Sequence, residues 1–191
     1  MISTQITTQK ENNVNGDLVG GNKISYNFGG AVVLSGEGIN ALYAKYKKEA
    51  CENLNQAIFS EKLQHYFKAT TETDVRGIEE KLIDSNRQQQ IPLAKELKER
   101  AAKAIMKHQS SHSAQTIYTF ILDELHTNYE LTVTPIIQGG AQRQAVDQAI
   151  FNVLQETRKI LGENIFEITQ KDLFGFLFFL GGNCHIRWDK C

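Results

Sequence analysis

Apolar side chains recur at helical spacing along most of this chain of 191 residues. The first stripe consists of Leu42, Tyr46, Ala50 and Leu54. Later stripes consist of Ile78, Leu82 and Ile83; of Leu93, Leu97, Ala101 and Ile105; of Ile117, Phe120, Ile121, Leu122 and Leu125; and of Val146, Ile150, Val153, Leu154 and Leu161. Such intervals place side chains on one face of an α-helix. The pattern predicts a mainly α-helical bundle of five to seven helices.

Local signals predict where several of these helices begin. Pro92 suits the first turn of a helix, because the N–H that proline lacks has no partner there in any case. Either Ser111 or Ser113 is expected to cap the helix that follows. Thr169 and Asp172 have the spacing of a capping pair at the start of the last helix.

Other signals predict breaks in the helical pattern. The stretch "ELTVTPIIQGG" (residues 130–140) is rich in β-formers, so we expect an extended element there that Pro135 and the glycines end or kink. The pair Gly181 and Gly182 is expected to end the last helix.

A turn-rich segment, "VNGDLVGGNKISYNF" (residues 14–28), precedes the helical part. It divides into units of five residues, each beginning with a β-branched side chain: Val14, Val19 and Ile24. A short β-coil would explain this spacing. A β-hairpin turning at two central glycines is the alternative, with one face formed by Ile24, Tyr26 and Phe28.

These features predict three parts of the chain: a flexible lead with a β-rich arm (1–30), a glycine-rich joint (31–40) and an α-helical domain (41–191). A β segment this short buries too little surface to fold alone, because isolated hairpins are marginally stable. We therefore expect the arm to pair with other copies of the chain or with a partner, which predicts a homo-oligomer.

Charge and composition narrow the classes of partner. The formal net charge of −1 argues against a general nucleic-acid footprint, which usually requires excess positive charge on one face. Lys45, Lys47 and Lys48 are interpreted as a solvated helix surface. Arg187 and Trp188 form a candidate interaction site, because Trp and Arg are favoured at interface hot spots. Closure of the core by Trp188 is an equally good interpretation.

Two residue pairs have the residue types of catalytic or metal sites, but not the geometry that such sites require. Glu79 and Lys81 have the spacing of a nuclease Glu-x-Lys core, but on a helix they diverge by about 200°. His108 and His112 have the spacing of two ligands on one helical face, but no H-E-x-x-H pattern is present. A surface or capping role is the preferred interpretation of both histidines.

The neighbours Cys184 and His185 also fail to form a recognisable site. Adjacent side chains point apart in extended chain, and no C-x₂₋₄-C pair accompanies them. A buried cysteine beside a hydrogen-bonded histidine is the preferred interpretation. We therefore predict no catalytic residues, no cofactor and no metal, and a protein that is not an enzyme.

The expected location is cytoplasmic. The cysteines Cys51, Cys184 and Cys191 are odd in number and widely spaced, which predicts free thiols in a reducing compartment. We find no apolar region of a signal peptide at the N-terminus and no apolar run long enough to span a membrane.

The tail "GFLFFLGGNCHIRWD" (residues 175–189) resembles a C-terminal domain of bacterial three-component ABC-ATPase conflict systems, a group that includes or neighbours Lamassu-like antiphage defence. The N-terminal "NGDLVGGNK" is similar to a GDxVGG-type segment often placed ahead of such domains. Further matching stretches are "DVRGIEEKL", "AKELKERAAKAI", "SAQTIYTFIL" and "TPIIQGG".

This resemblance implies an antiviral complex that contains an ABC or SMC-like ATPase and effector subunits. In the family the domain commonly follows an effector such as a nuclease or protease, whereas only a short lead precedes it here. The resemblance therefore implies a non-catalytic adaptor or oligomerisation subunit that acts through protein–protein contacts. The alternative is a sensor module that binds nucleic acid or a phage component.

Overall fold

All regular secondary structure in the described residues of the computed structural model, 36–52, 59–69 and 76–189, is helical. The α-helices are α1 (Gly36–Glu52), α2 (Glu61–Phe67), α3 (Ile78–Asp84), α4 (Ile91–Lys107), α5 (His112–Thr132), α6 (Thr134–Gln138), α7 (Arg143–Lys159) and α8 (Gln170–Gly182). One 3-10 turn, Gln88–Gln90, leads into α4. The predicted mainly helical fold is confirmed, whereas the predicted β arm lies outside the described residues.

Helix α8 lies at the centre of the helical core. Its side chains from Phe176 to Leu180 are all buried, so the helix is apolar on every side, as expected of an element enclosed by others. Its most extensive contact is with α4. Gly175 permits this close packing, because a Cβ at that position would lie 2.9 Å from the carbonyl oxygen of Leu97.

Helix α5 joins the remaining helices to this centre, with contacts to α1, α2, α6, α7 and α8. The predicted stripe from Ile117 to Leu125 is buried. The predicted stripe of α7 is buried as well, from Val146 to Leu154.

The caps agree with the local sequence signals. Ser111 Oγ accepts a hydrogen bond from Ala114 N at 3.0 Å, which identifies Ser111 as the cap of α5. Thr169 and Asp172 form a reciprocal capping box at the start of α8. Pro92 lies in the first turn of α4, and α8 ends at Gly182.

The prediction of an extended element at residues 130–140 was wrong. Helix α5 continues to Thr132, and α6 begins immediately afterwards with Pro135 in its first turn. Tyr129 and Val133 are completely buried, so packing stabilises helical backbone there. Tertiary contacts of this kind override the weak β-propensity of single residues.

Two further expectations at the level of individual residues need correction. Ile83 and Leu93 lie on the predicted buried stripes, but their exposed fractions are 49% and 38%. Ala94 replaces Leu93 on the buried face of α4. Helix α1 begins at Gly36, inside the predicted joint, and its residues Ile39 and Tyr43 are completely buried.

Candidate functional site around His185

The segment that follows α8 turns back towards the core. Cys184 has a left-handed backbone with φ of 64°, and His185 N donates to the carbonyl oxygen of Leu180 at 2.9 Å. Asn183 Nδ2 donates to the carbonyl oxygen of Tyr66 at 2.8 Å, which connects this turn to α2. The turn therefore places the residue after Cys184 between α2 and α5.

His185 is buried, and it lies against two other histidines from different parts of the fold. Its ring centroid is 5.0 Å from that of His65 on α2 and 6.2 Å from that of His126 on α5. Tyr66 lies 5.0 Å from the same ring. We call these four residues, His65, Tyr66, His126 and His185, the histidine cluster.

The environment of the histidine cluster favours the neutral form of His185. Burial is the main cause that lowers the pKa of His185 to about 4, and His65 and His126 lower it further. The backbone carbonyl groups of Tyr66 and Lys68 act in the opposite direction. The Nε2 atom is buried and has no hydrogen-bond partner among the described residues.

Tyr66 connects the histidine cluster to a carboxylate. Its hydroxyl donates to Asp123 Oδ1 at 2.5 Å. Burial, together with Asp123, raises the pKa of Tyr66, so the phenol stays protonated and acts as a hydrogen-bond donor. Asp123 Oδ1 is thereby engaged by Tyr66.

Cys184 is half-buried, and its Sγ lies 3.8 Å from the carbonyl oxygen of Arg76. In the part of the chain that the structure describes, no three His, Cys, Asp or Glu side chains are arranged to hold a metal ion.

The candidate interaction residues at the C-terminus occupy different environments. Trp188 is 4% exposed and packs against Tyr129 and Phe178, which fits the interpretation of core closure. The side chain of Arg187 is 28% exposed and lies 3.4 Å from Asp189. The other candidate interaction residues, all in the arm, lie outside the described residues: Val14, Val19, Ile24, Tyr26 and Phe28.

The residues considered for nuclease chemistry diverge on α3, as their helical setting predicts. Glu79 is exposed and pairs with Lys95 at 2.5 Å. Lys81 is completely buried and donates to the carbonyl oxygen of Gly181 at 2.9 Å. Its position between Ile78 and Leu82 on the inward stripe was the only sequence signal for this burial.

His108 and His112 do not lie in equivalent environments. His108 Nδ1 is 3.1 Å from the hydroxyl of Tyr46, and its ring stacks on Phe166 at 4.8 Å. Burial lowers the pKa of His108. His112 is exposed at the start of α5.

Residues 77–188 match the family described as C-terminal domain 9 of the ABC-three component (ABC-3C) systems. The chain belongs to this family. The suspected membership in three-component ABC systems is therefore confirmed. No curated protein and no solved structure matches the chain.

The domain 9 match runs from the start of α3 to Trp188 and contains two members of the histidine cluster, His126 and His185. His65 and Tyr66 precede the matched region, on α2. The histidine cluster therefore forms where α2, which lies outside the matched region, packs against the matched region.

None of the described helices is long and apolar enough to cross a membrane.

Proposed function

We propose that this chain is a non-catalytic adaptor or oligomerisation subunit of a bacterial antiphage defence complex. In this role the chain binds an ABC or SMC-like ATPase, or an effector of the same system, through protein–protein contacts. The observation that carries this proposal is the match of residues 77–188 to a domain of the ABC-three component systems. A component of a multi-component system acts through contacts with other components, and this function requires no reaction centre.

The N-terminal arm supports the oligomerisation part of the proposal. Its β-branched and aromatic side chains recur at short intervals within a segment of 15 residues, 14–28. Such a segment gains order when it adds to a strand of another chain, because main-chain hydrogen bonds then supply the affinity. The arm therefore brings copies of the domain together.

Co-purification tests the proposal most directly. The tagged full chain is co-expressed with the ATPase and effector of its own system, and the complex is analysed by light scattering. We expect recovery of the ATPase or the effector and a mass that corresponds to more than one copy of the chain. A monomeric chain that recovers neither subunit contradicts the proposal.

An arm variant separates the two parts of the proposal. In this variant serine replaces the five apolar residues Val14, Val19, Ile24, Tyr26 and Phe28. We expect a folded chain of lower mass by light scattering. The control variant carries Thr4→Ser, Thr7→Ser and Thr8→Ser in the polar lead and should keep the mass of the wild type. An unchanged mass in the arm variant would exclude oligomerisation through the arm.

A further inference from the structure

Helix α2 is a short element that contributes His65 and Tyr66 to the histidine cluster. It has seven residues, and among the described elements its main helix contact is with α5. The hydroxyl of Tyr66 donates a hydrogen bond to Asp123, and the carbonyl oxygen of Tyr66 accepts one from the side chain of Asn183. A helix this short is not stable by itself, so its position depends on these contacts.

The apolar side of α2 covers part of the core. Leu63 and Tyr66 are buried on this side. Phe67 packs edge-on against Phe179 of α8 at a centroid distance of 5.0 Å, and it stacks on Phe59 at the same distance. Departure of α2 would therefore expose apolar surface of α2 and of α8.

We propose that protonation of His185 releases α2 from α5 and from the C-terminal segment, so that acidification uncovers this apolar surface. Two observations on the geometry support the proposal. His185 lies between α2 and α5, with its ring close to those of His65 and Tyr66 on α2 and to that of His126 on α5. Its buried Nε2 has no acceptor among the described residues that would stabilise an added proton.

The charged and titratable groups around His185 oppose a positive charge at this position. Helix α2 contributes His65 and Tyr66, and α5 contributes His126. Asp123 of α5 accepts a hydrogen bond from the hydroxyl of Tyr66. The flanking Cys184 and Arg187 belong to the same segment as His185, and Arg187 carries a positive charge. Among the described residues, the carbonyl groups of Tyr66 and Lys68 favour protonation.

The sign of the pH dependence follows from the environment of the docked ring. In the docked state, burial together with His65 and His126 holds the pKa of His185 at about 4, against an ordinary value of 6.5 that the ring regains when release exposes it to solvent. Between these values the released state binds the proton and the docked state does not, so acid favours release. Between about pH 6.5 and 4, each unit of acidification raises the ratio of released to docked α2 about tenfold. The ratio at pH 5.0 is then about 30-fold higher than at pH 7.5.

Amide hydrogen exchange of the full chain, followed by NMR at pH 7.5 to 5.0 in the presence of a chelator, tests this inference. The rates are corrected for the intrinsic pH dependence of exchange. We expect opening of residues 63–67 to increase about 30-fold towards pH 5.0 while Leu97 and Ile105 of α4 stay protected. A flat profile for α2, or an equal increase in α4, overturns the proposal.

Two variants identify the responsible histidine. In His185→Gln, which cannot gain the charge, the pH dependence of α2 opening should fall to less than about twofold. His112→Gln, an exposed histidine outside the cluster, should behave like the wild type. Retention of the full pH dependence in His185→Gln overturns the proposal.

The ring signals of the wild type provide a second test if His185→Gln does not fold. We expect the imidazole resonance of His185 to titrate together with the loss of protection in α2. Titration of His185 near its ordinary value while α2 stays protected overturns the proposal.

Discussion

The ammonium group of Lys81 has no contact with solvent, and its hydrogen bond to Gly181 connects α3 with the last turn of α8. The carbonyl groups in the last turn of a helix lack partners within that helix and carry partial negative charge. Lys98 donates to the next carbonyl group, that of Gly182, at 3.3 Å. At the scale of single residues, two lysines therefore join the backbone N–H groups of residues 183–185 in donating to the carbonyl groups at the C-terminus of the central helix.

Replacement of Lys81 should destabilise the fold strongly. Lys81→Ala leaves a cavity and removes one of the hydrogen bonds to the carbonyl oxygen of Gly181, which together cost about 2–4 kcal/mol of the free energy of unfolding. Lys81→Met fills most of the space and should cost less. Urea unfolding measures both, with the exposed Lys103→Ala as the control that should change little. Equal stability of Lys81→Ala and the wild type contradicts this role.

Helix α1 contributes a carboxylate to the N-terminus of α5. Glu49 accepts from the hydroxyl groups of Ser111 and Ser113 at 2.5 and 2.6 Å, and from Ser113 N at 3.2 Å. Ser111 in turn accepts from Ala114 N. At the scale of elements, the first turn of α5 is thus capped partly by its own serine and partly by another helix.

Glu49→Gln should weaken this contact in a pH-dependent way. Burial acts to raise the pKa of Glu49, but hydrogen bonds from Ser111 and Ser113 and the nearby His112 lower it below 4.5. The stabilisation is therefore complete above pH 4.5 and is lost as the pH falls through the lowered pKa. We expect a loss of about 1 kcal/mol at pH 7 from the weaker hydrogen bonds.

Urea unfolding at pH 7 and at pH 4 measures this effect. The difference between the wild type and Glu49→Gln should decrease at the lower pH. Glu130→Gln, at an exposed position of α5, should be neutral. A difference that grows on acidification would show that the carboxylate is not the stabilising form.

At the scale of the whole molecule, the C-terminal segment closes the helical core. Trp188 packs against Tyr129 and Phe178, and the hydroxyl of Tyr129 donates to the carbonyl oxygen of Arg187 at 2.7 Å. Gly181 leaves room for the indole ring, because a Cβ there would lie 2.1 Å from Trp188 Cζ3. Trp188 is therefore part of the core.

Gly181→Ala should lower the stability of the entire domain by about 1–3 kcal/mol, because the rigid indole ring must shift. Gly77→Ala is the matched control, since a Cβ at Gly77 meets no atom within 4 Å. Thermal unfolding measures both variants. Addition of Trp188→Leu to Gly181→Ala should cost less than the sum of the single changes, because the smaller side chain relieves the clash. Additive losses would show that the indole ring is not the obstacle.

The amino-acid sequence by itself determined the features that depend on neighbours along the chain. Helical spacing predicted the mainly α-helical fold. The cap at Thr169 was predicted, and the cap of α5 was predicted as Ser111 or Ser113, because a capping side chain bonds a backbone group two or three residues away. The match of residues 77–188 to a domain of ABC-three component systems likewise agrees with the resemblance of the tail "GNCHIRW".

Only the tertiary structure decided the features that depend on residues far apart in sequence. The bond from Lys81 to Gly181 spans 100 residues, and the histidine cluster joins α2, α5 and the C-terminal segment. Packing also made residues 130–138 helical against their local β-propensity. Periodicity shows which face of a helix is apolar, but not which helix covers that face. The partners of Lys81 and His185 could therefore be identified only from the tertiary structure, in which the helices pack around α8.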